Sequence, residues 1–256
     1  MGPSEGQFAV ANLVDGIEVN YENEQLAPIA SLTKLITALA VLEKAPLSLG
    51  EQGDVITLEA KDEQYYWDYA SIEGTVTAVS AGLQMTQYEA LQTMLLASSN
   101  NMSDTLVDFY FDSKEEYLDY ANKYLEEMGL IYTNVADTTG FSPESVSTPS
   151  ELLLIGKKAL DNPVIAEIVA QKEATVSVAG EIPNYNALIE LPYVTGLKPG
   201  LTDEAGYCLL YSMDVPNSSG EIVTVIGVVL GIRDATEQKA YLSSVYNQTI
   251  AAIQAN

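Results

Sequence analysis

Apolar positions along the chain follow two different periods, and the order of these periods predicts strands at both ends with helices between them. Near the start, apolar runs at 7–14 and 17–21 flank Asp15-Gly16, a pair typical of the turn in a β-hairpin. After about residue 170 the apolar runs are again short and bounded by turn residues, as in strands. The segments predicted there are strands at about 173–178, 193–198, 206–213 and 222–231, followed by a last helix at 234–252.

The middle of the chain has helical spacing. A helix is predicted from Ser31 to about Ala45, because apolar residues recur on one face and Pro46 cannot continue a helix. Ser31 is expected at its N-terminus, where backbone N–H groups and the helix dipole stabilise negative charge. The apolar stripe consists of Leu35, Ile36, Leu39, Ala40 and Leu42. Further helices are predicted at 87–97, in a segment after Asn100, at 114–128 and at 150–160.

This order of elements predicts an α/β (α+β) fold. Strands from both chain ends would complete one mixed, mainly antiparallel sheet that is flanked by helices, with a helical lobe inserted at about 60–170. Residues 7–256 are expected to form a single domain, because 256 residues suit one large domain. We expect residues 1–6 to be linker or vector-derived residues.

Composition excludes several classes of partner. With 36 acidic and 11 basic residues the formal net charge is −25, which argues against binding to nucleic acid or to an anionic membrane surface. A hydrophobic content of 47% is enough for a sizeable core. No apolar run approaches the roughly 18 residues of a membrane span, and the start lacks the apolar segment of a signal peptide. We therefore expect a soluble globular protein.

Histidine is absent, and Cys208 is the only cysteine. A Ser-His-Asp triad, a histidine-bearing zinc site and an internal disulfide are therefore excluded. Cys208 lies in a short apolar run and is predicted to be a core residue. We expect no metal and no cofactor, and a serine nucleophile in this chain needs a base other than histidine.

Three short motifs with candidate chemistry occur in order along the chain. Ser31-Leu32-Thr33-Lys34 is the only S-x-x-K sequence and opens the first predicted helix. Ser98-Ser99-Asn100 follows another helix, and Lys198-Pro199-Gly200 ends a strand-like run. The trio corresponds to the S-x-x-K, S-D-N and K-T-G motifs of penicillin-binding proteins and class A β-lactamases.

The first and third motifs supply a nucleophile and a means of activating it. Ser31 would attack a carbonyl carbon, and Lys34 would take its proton because residues three apart share a helix face. A lysine at its ordinary pKa is protonated and cannot act as a base. Burial and a second cation would keep Lys34 neutral, and Lys198 is the candidate for that cation.

The remaining roles concern the proton path and the substrate. Ser98 would bridge the two lysines and pass a proton to the leaving amine. The Asn100 amide would orient the acyl-side peptide group of the substrate. Backbone N–H groups of Ser31 and Leu201 would form the oxyanion hole.

Each motif also has an ordinary structural interpretation. Ser31 fits a plain helix N-cap, and Lys34 alone fits a surface charge. The segment 98–101 fits a turn between helices, and 198–200 fits an ordinary turn. Their occurrence together, in this order and without histidine, favours the catalytic interpretation.

Longer segments around the motifs extend the match, and they cover about residues 7–252. Together they resemble the serine-type D-alanyl-D-alanine carboxypeptidases, also called low-molecular-mass penicillin-binding proteins. The likeness selects Ser98 and Asn100 over the overlapping Ser99 and Asn101. The segments that carry it are PIASLTKLITA (28–38), MLLASSNN (94–101), DTTGF (137–141), STPSEL (147–152) and TGLKPGLTDEAGYC (195–208).

The resemblance implies a β-lactamase/transpeptidase-like fold and a bacterial cell-wall enzyme outside the cytoplasmic membrane. Such an enzyme removes the terminal D-alanine of peptidoglycan stem pentapeptides through a serine acyl-enzyme, and β-lactam antibiotics acylate the same serine. Family members often add a C-terminal β-rich domain and a membrane-associating helix. We expect neither in this chain, and we expect any membrane tether and the native signal segment to lie outside it. The residues implied as catalytic are Ser31, Lys34, Ser98, Asn100 and Lys198.

The third motif departs from the family at Pro199, where threonine is usual and its hydroxyl helps to hold the terminal carboxylate of the substrate. Losing a hydrogen bond to a charged group costs about 1.5–3 kcal/mol. Thr202 or the sole arginine, Arg233, would compensate, the arginine because its planar group binds a carboxylate at two points. A surface role suits Arg233 equally well. The substrate-binding residues predicted are Gly200, Leu201, Thr202 and Arg233.

Two rival functions stay open on the sequence alone. A class A β-lactamase shares the trio and the fold but needs a carboxylate that activates the deacylating water. The loop at 138–150 contains Glu144, although not in the E-x-x-L-N setting of those enzymes. The other rival is a catalytically inactive cell-wall binding module, and Pro199 is its only support.

Overall fold

The computed structural model describes residues 6–12 and 18–255, and all elements below lie in these ranges. The strands are β1 (Gln7–Asn12), β2 (Glu18–Glu22), β3 (Ala27–Pro28), β4 (Val55–Thr57), β5 (Gln84–Thr86), β6 (Val146–Ser147), β7 (Glu173–Val176), β8 (Gly180–Pro183), β9 (Val194–Thr202), β10 (Gly206–Pro216) and β11 (Ile222–Ile232). The helices are α1 (Thr33–Lys44), α2 (Ala60–Ser71), α3 (Gln87–Leu95), α4 (Asn100–Tyr110), α5 (Lys114–Glu127), α6 (Pro149–Asp161), α7 (Pro163–Val169) and α8 (Ala235–Gln254).

The largest sheet joins the two ends of the chain. Its order is β2-β1-β11-β10-β9, and each neighbouring pair is antiparallel. The pairing of β1 with β2 confirms the predicted hairpin, whose Asp15-Gly16 turn lies outside the described residues. The fold class predicted from the sequence is therefore confirmed, with helices α2 to α7 inserted between the two sets of strands.

Side chains of β10 alternate between two cores, as the two-residue period of a strand requires. Cys208 and Leu210 face the larger core, and Leu209 and Tyr211 face a smaller core that α8 completes. Helix α6 packs against β1, β10 and β11, and α8 packs against β10 and β11. Cys208 is fully buried, as predicted, and burial raises the pKa of its thiol to about 12.

The structure contains several elements that the sequence pattern does not predict, among them the short strands β3 to β6. The sequence pattern did not predict α2, because Asp62 is its only buried residue and the helix has no apolar stripe. Helix α7 and strand β8 were also missed, since both are short. Strand β9 runs on to Thr202, so the third motif lies within it rather than ending it.

Proline is tolerated at position 199 of β9 because that strand is the edge of the sheet. An edge strand has one side that needs no ladder hydrogen bond, and proline has no N–H to donate. Within the described ranges, none of the helices is long and apolar enough to cross a lipid bilayer.

Candidate active site

Ser31 lies in a tight turn immediately before α1. The turn is a 3-10 helix over Ala30–Leu32, in which the Leu32 N–H donates to the Ile29 carbonyl at 3.2 Å. Ala30 adopts a left-handed backbone with φ of +47°, and the Thr33 hydroxyl donates to its carbonyl at 3.0 Å. The predicted helix therefore begins two residues later than Ser31, and the serine is held by the turn.

Lys34 is fully buried on the first turn of α1. Its Nζ donates to the amide oxygen of Asn100 at 2.7 Å and to the carbonyl oxygen of Thr139 at 2.9 Å. The same nitrogen lies 2.9 Å from the Ser31 Oγ. The first two sequence motifs thus meet at one amine, together with a backbone carbonyl that neither motif contains.

These contacts fit a neutral amine, and they fit an ammonium equally, whose third N–H would donate to the Ser31 Oγ. The oxygens of Asn100 and Thr139 can only accept, so two N–H groups of Lys34 are directed at them. A neutral amine has two N–H groups and one lone pair. The lone pair is then left for the Ser31 hydroxyl, which is able to donate. In the neutral form the arrangement is the one that a general base needs beside a nucleophile, and these roles stay predictions.

Burial favours the neutral form of Lys34 and, more strongly, that of Lys198. Burial lowers the pKa of Lys34 from 10.5 to about 7, while the negative charges of Asp137 and Asp104 act in the opposite direction. Lys198 is also fully buried, and its pKa lies well below the ordinary value because of burial and the charge of Lys34. Two buried amines near each other cannot both hold a proton cheaply, so the pair favours one neutral member.

We expect acylation of Ser31 to speed up as pH rises through about 7, the pKa of Lys34. Below that value Lys34 is protonated and has no lone pair, so the rate should fall about tenfold per pH unit. The measurement is kcat/KM, or the second-order rate of acylation by a penicillin, across a pH series. A rate that does not change through this range would contradict the assignment of Lys34 as the base.

The second motif connects α3 to α4. Ser98 adopts φ of +57° and is nearly buried, and Asn100 is the first residue of α4, with its N–H donating to the Thr75 carbonyl at 2.8 Å. Within the described ranges no hydrogen bond joins the Ser98 hydroxyl to either lysine, so its bridging role stays a prediction.

Ser99 and Asn101, which overlap the second motif, make contacts away from Lys34. Asn101 accepts from the Thr77 N–H at 3.0 Å and from the Ser99 hydroxyl at 2.8 Å. Its own amide nitrogen donates to the Thr77 carbonyl at 3.0 Å. Asn101 and Ser99 therefore hold the loop before β5, whereas Asn100 contacts Lys34.

Strand β9 passes directly against the turn that holds Ser31. A Cβ added to Gly200 would lie 2.8 Å from the Ser31 nitrogen, so only glycine allows this approach. Lys198 Nζ donates to the Pro199 carbonyl at 3.2 Å. The Leu201 side chain is 70% exposed, and the role of its backbone N–H in the site stays a prediction.

The other two predicted substrate-binding residues contact the turn between β9 and β10. The Thr202 hydroxyl accepts from the Ala205 N–H at 3.1 Å. Arg233 is exposed and donates to the carbonyl oxygens of Asp203 at 2.7 Å and Glu204 at 2.9 Å. Both hold this turn, and their contact with a substrate stays a prediction.

A comparison with protein-family models tests the family membership that the motifs indicate. The model described as D-alanyl-D-alanine carboxypeptidase, peptidase S11, matches residues 15–234. The chain belongs to this family.

Individual relatives in the S11 family agree with this assignment. The chain is 29% identical over 227 residues to the D-alanyl-D-alanine carboxypeptidase DacF of Bacillus subtilis, a match that covers 86% of this chain and 55% of DacF. It is 27% identical over 231 residues to a D-alanyl-D-alanine endopeptidase of Pseudomonas aeruginosa, covering 86% of this chain and 70% of that protein. The chain thus spans about half the length of DacF.

The fold matches that of a solved DD-transpeptidase from Streptomyces. The TM-score is 0.83, and the match covers 98% of this chain and 99% of that one at 21% sequence identity. At this identity the likeness establishes the fold, and the chemistry of the S11 site rests on the residues described above.

The three motifs do not include the segment that carries the Thr139 carbonyl. Residues 137–141 are part of the family resemblance, but no role was predicted for this carbonyl. The Asp137 carboxylate accepts from the Thr139 hydroxyl at 2.5 Å, the Gly140 N–H at 3.0 Å and the Phe141 N–H at 2.9 Å. It also accepts from the Ser145 hydroxyl at 2.6 Å. Asp137 therefore fixes the segment whose carbonyl contacts Lys34. No group of three or more histidine, cysteine, aspartate or glutamate residues in 6–12 and 18–255 is arranged to hold a metal ion.

Proposed function

We propose that this chain is a serine D-alanyl-D-alanine carboxypeptidase that acts on peptidoglycan stem peptides through an acyl-enzyme on Ser31. The observation that carries the proposal is the contact of Ser31 with a buried lysine whose two N–H groups have acceptors elsewhere. Family membership gives the substrate class, because the matching model describes D-alanyl-D-alanine carboxypeptidases.

In the proposed first step, Ser31 Oγ attacks the carbonyl carbon of the penultimate D-alanine, and its proton moves to Lys34 Nζ. The carbonyl oxygen becomes an oxyanion, and the N–H groups of Ser31 and Leu201 would stabilise it. The close approach of Gly200 to the Ser31 nitrogen supports this role, because it brings the two backbones together.

The second step breaks the C–N bond to the terminal D-alanine. The leaving nitrogen takes a proton, which would come from Lys34 by way of the Ser98 hydroxyl, and the acyl group stays on Ser31. Water then attacks the acyl carbon, the ester bond to Ser31 Oγ breaks, the shortened peptide leaves as its carboxylic acid, and Ser31 Oγ regains its proton. Because Lys34 occupies the oxygen of Asn100, the amide nitrogen is the group left to hold the acyl-side peptide.

Lys198 would supply positive charge beside the reacting groups only when it holds a proton, which its burial and the charge of Lys34 disfavour in the free chain. Its Nζ has the Pro199 carbonyl as its partner, and its burial keeps it within the site. A protonated Lys198 would attract the anionic terminus of the substrate and would disfavour a proton on Lys34.

The proposal also covers partners and location. Penicillins mimic the D-alanyl-D-alanine end of the substrate, so β-lactam antibiotics should acylate Ser31. An enzyme that cuts peptidoglycan peptides works outside the cytoplasmic membrane. A signal segment and a membrane tether outside this sequence belong to the same proposal.

Glu144 offers no support for a class A β-lactamase. It is exposed, and its backbone carbonyl accepts from the amide nitrogen of Asn134 at 2.9 Å. The ordered contacts of Lys34 argue in turn against an inactive binding module. Rapid turnover of a chromogenic cephalosporin would restore the β-lactamase hypothesis.

The test of the proposed function is release of D-alanine from diacetyl-Lys-D-Ala-D-Ala. We expect release by the unmodified chain and none by Ser31→Ala. If the unmodified chain releases no D-alanine although circular dichroism shows that it is folded, the proposal is overturned in favour of the binding module.

We expect Pro199→Thr to raise kcat/KM on this peptide by roughly tenfold or more, since a hydrogen bond to a charged group contributes about 1.5–3 kcal/mol. The new hydroxyl would donate to the terminal carboxylate. Pro199→Val is the matched control, because valine has the shape of threonine without the hydroxyl. Equal rates for the two variants would show that the carboxylate is held elsewhere.

A further inference from the structure

A buried carboxylate lies behind the Lys34 amine and has no part in the mechanism above. Asp104 is only 2% exposed and lies on α4, one helical turn after Asn100. Its carboxylate accepts from the Thr138 hydroxyl at 2.5 Å and from the Tyr69 hydroxyl at 3.1 Å. Lys114, at the start of α5, forms an ion pair with it at 2.8 Å.

The contact with Thr138 links Asp104 to the base. Thr138 precedes Thr139, whose carbonyl accepts from Lys34. The Thr138 carbonyl itself accepts from the Thr37 hydroxyl of α1 at 2.8 Å, so its backbone is attached to the helix that carries Lys34. The side-chain contact with Asp104 attaches the same residue to α4. A shift of Thr138 would therefore move the carbonyl that directs one N–H of Lys34.

Several charged or titratable groups face Lys34 from the elements packed around it. Lys198 lies on β9, Asp104 on α4 and Asp137 in the segment before β6, and both carboxylates favour the protonated amine. Tyr69 on α2 and Tyr117 on α5 stay neutral, because burial raises the pKa of each phenol.

The charge of Asp104 is partly balanced from outside. The Lys114 side chain is 42% exposed, and its Nζ also lies 4.6 Å from the centre of the Tyr65 ring. Lys114 is the salt-bridge partner of Asp104 among the described residues. The negative charge that acts on Lys34 from α4 is therefore set by the ion pair of Asp104 with Lys114. Lys114 is partly exposed, so it can be replaced without disturbing the core.

We propose that Asp104 is a positioning residue for acylation: it holds Thr138 and Thr139 against Lys34, and its ion pair with Lys114 sets the negative charge behind the base. The inference rests on the proposed function, because it gives Lys34 the role of general base. Asp104 touches neither the substrate nor the reacting atoms in this scheme and acts through Lys34.

Mutations separate the two effects of Asp104, namely its negative charge and its hydrogen bond with Thr138. Asp104→Asn keeps an oxygen that accepts from Thr138 but removes the charge, so the acidic limb of the pH profile of kcat/KM should move down by roughly one pH unit, with its plateau kept. Lys114→Gln leaves the Asp104 charge unbalanced and should move the limb up. Thr138→Val keeps the charge of Asp104 but removes the hydroxyl that donates to it. This variant should lower the plateau of kcat/KM and leave the midpoint of the pH profile in place.

Asp62→Asn is the matched control for loss of a buried carboxylate. Asp62 on α2 is 3% exposed and accepts from the Thr105 hydroxyl of α4 at 2.7 Å, and it is not among the charges that act on Lys34. A purely structural role for Asp104 would change stability in both Asp→Asn variants without moving either midpoint.

The experiment is the pH profile of D-alanine release and of benzylpenicillin acylation, with melting temperatures for each variant. Opposite shifts for Asp104→Asn and Lys114→Gln are the expected result, and unchanged midpoints in both would overturn the inference. If Asp104→Asn does not fold, the upward shift of Lys114→Gln decides alone. An unmodified chain without release or adduct would instead mean that the proposed function has failed.

Discussion

Replacing Lys34 with alanine is expected to slow acylation of Ser31 by about 10²–10⁴-fold at neutral pH, the usual contribution of a positioned general base. The alanine variant loses the group that takes the proton of Ser31, because the Lys34 Nζ, 2.9 Å away, is the hydrogen-bonding partner of that hydroxyl among the described residues. The amide oxygen of Asn100 and the carbonyl of Thr139 also lose their shared donor. The measurement is the rate of penicillin acylation, followed by intact mass.

Lys44→Ala is the matched control for that substitution. Lys44 is the last residue of the same helix, is partly exposed, and pairs with Glu116 at 2.8 Å. An exposed ion pair contributes about 1 kcal/mol or less, so this variant should acylate at the rate of the unmodified chain. If Lys34→Ala acylated as fast as Lys44→Ala, Lys34 would not be the base.

Replacing Gly140 with alanine should be the second most damaging change. Gly140 has φ of +78°, and an added Cβ would lie 1.8 Å from the Ala30 carbonyl oxygen and 2.5 Å from the Thr33 hydroxyl. The 137–141 segment and the turn that holds Ser31 would have to separate. A displacement of about 1 Å at a reacting group costs on the order of 10²-fold in rate, so we expect a loss of at least that size.

Gly129→Ala separates the clash from the backbone effect. Gly129 has nearly the same φ, +80°, but an added Cβ meets nothing within 4 Å. This variant should lose about 1–2 kcal/mol of stability from the left-handed backbone alone and keep its activity. The two variants are compared by melting temperature and by kcat/KM. Equal activities would mean that the close packing of Gly140 on Ala30 does not hold the site.

The sequence predicts most of the fold because most elements bury an apolar face. Helix α1 and strands β10 and β11 have strong apolar patterns and lie where they were expected. Helix α2 has none, and two of its tyrosines instead donate to acids of α4: Tyr65 to Asp108 at 2.5 Å and Tyr69 to Asp104 at 3.1 Å. Such contacts join residues far apart in the chain, and no local pattern indicates them.

The site was predictable only as far as its motifs extend. Ser31, Lys34 and Asn100 are recognisable by residue type and spacing, and the structure brings them into contact. The acceptor at Thr139 is a backbone carbonyl, which every residue has, so residue type gives no signal. Asp104 is one of 36 acidic residues, and nothing in the sequence separates it from the others. Its burial, which only the structure shows, is what marks it.

The most direct test of the central claim is intact-mass spectrometry after incubation with benzylpenicillin, followed by peptide mapping of the adduct. We predict a penicilloyl group on Ser31 in the unmodified chain and none in Ser31→Ala. An adduct on a different residue, or no adduct in a folded chain that also releases no D-alanine, would contradict the assignment of Ser31 as the nucleophile.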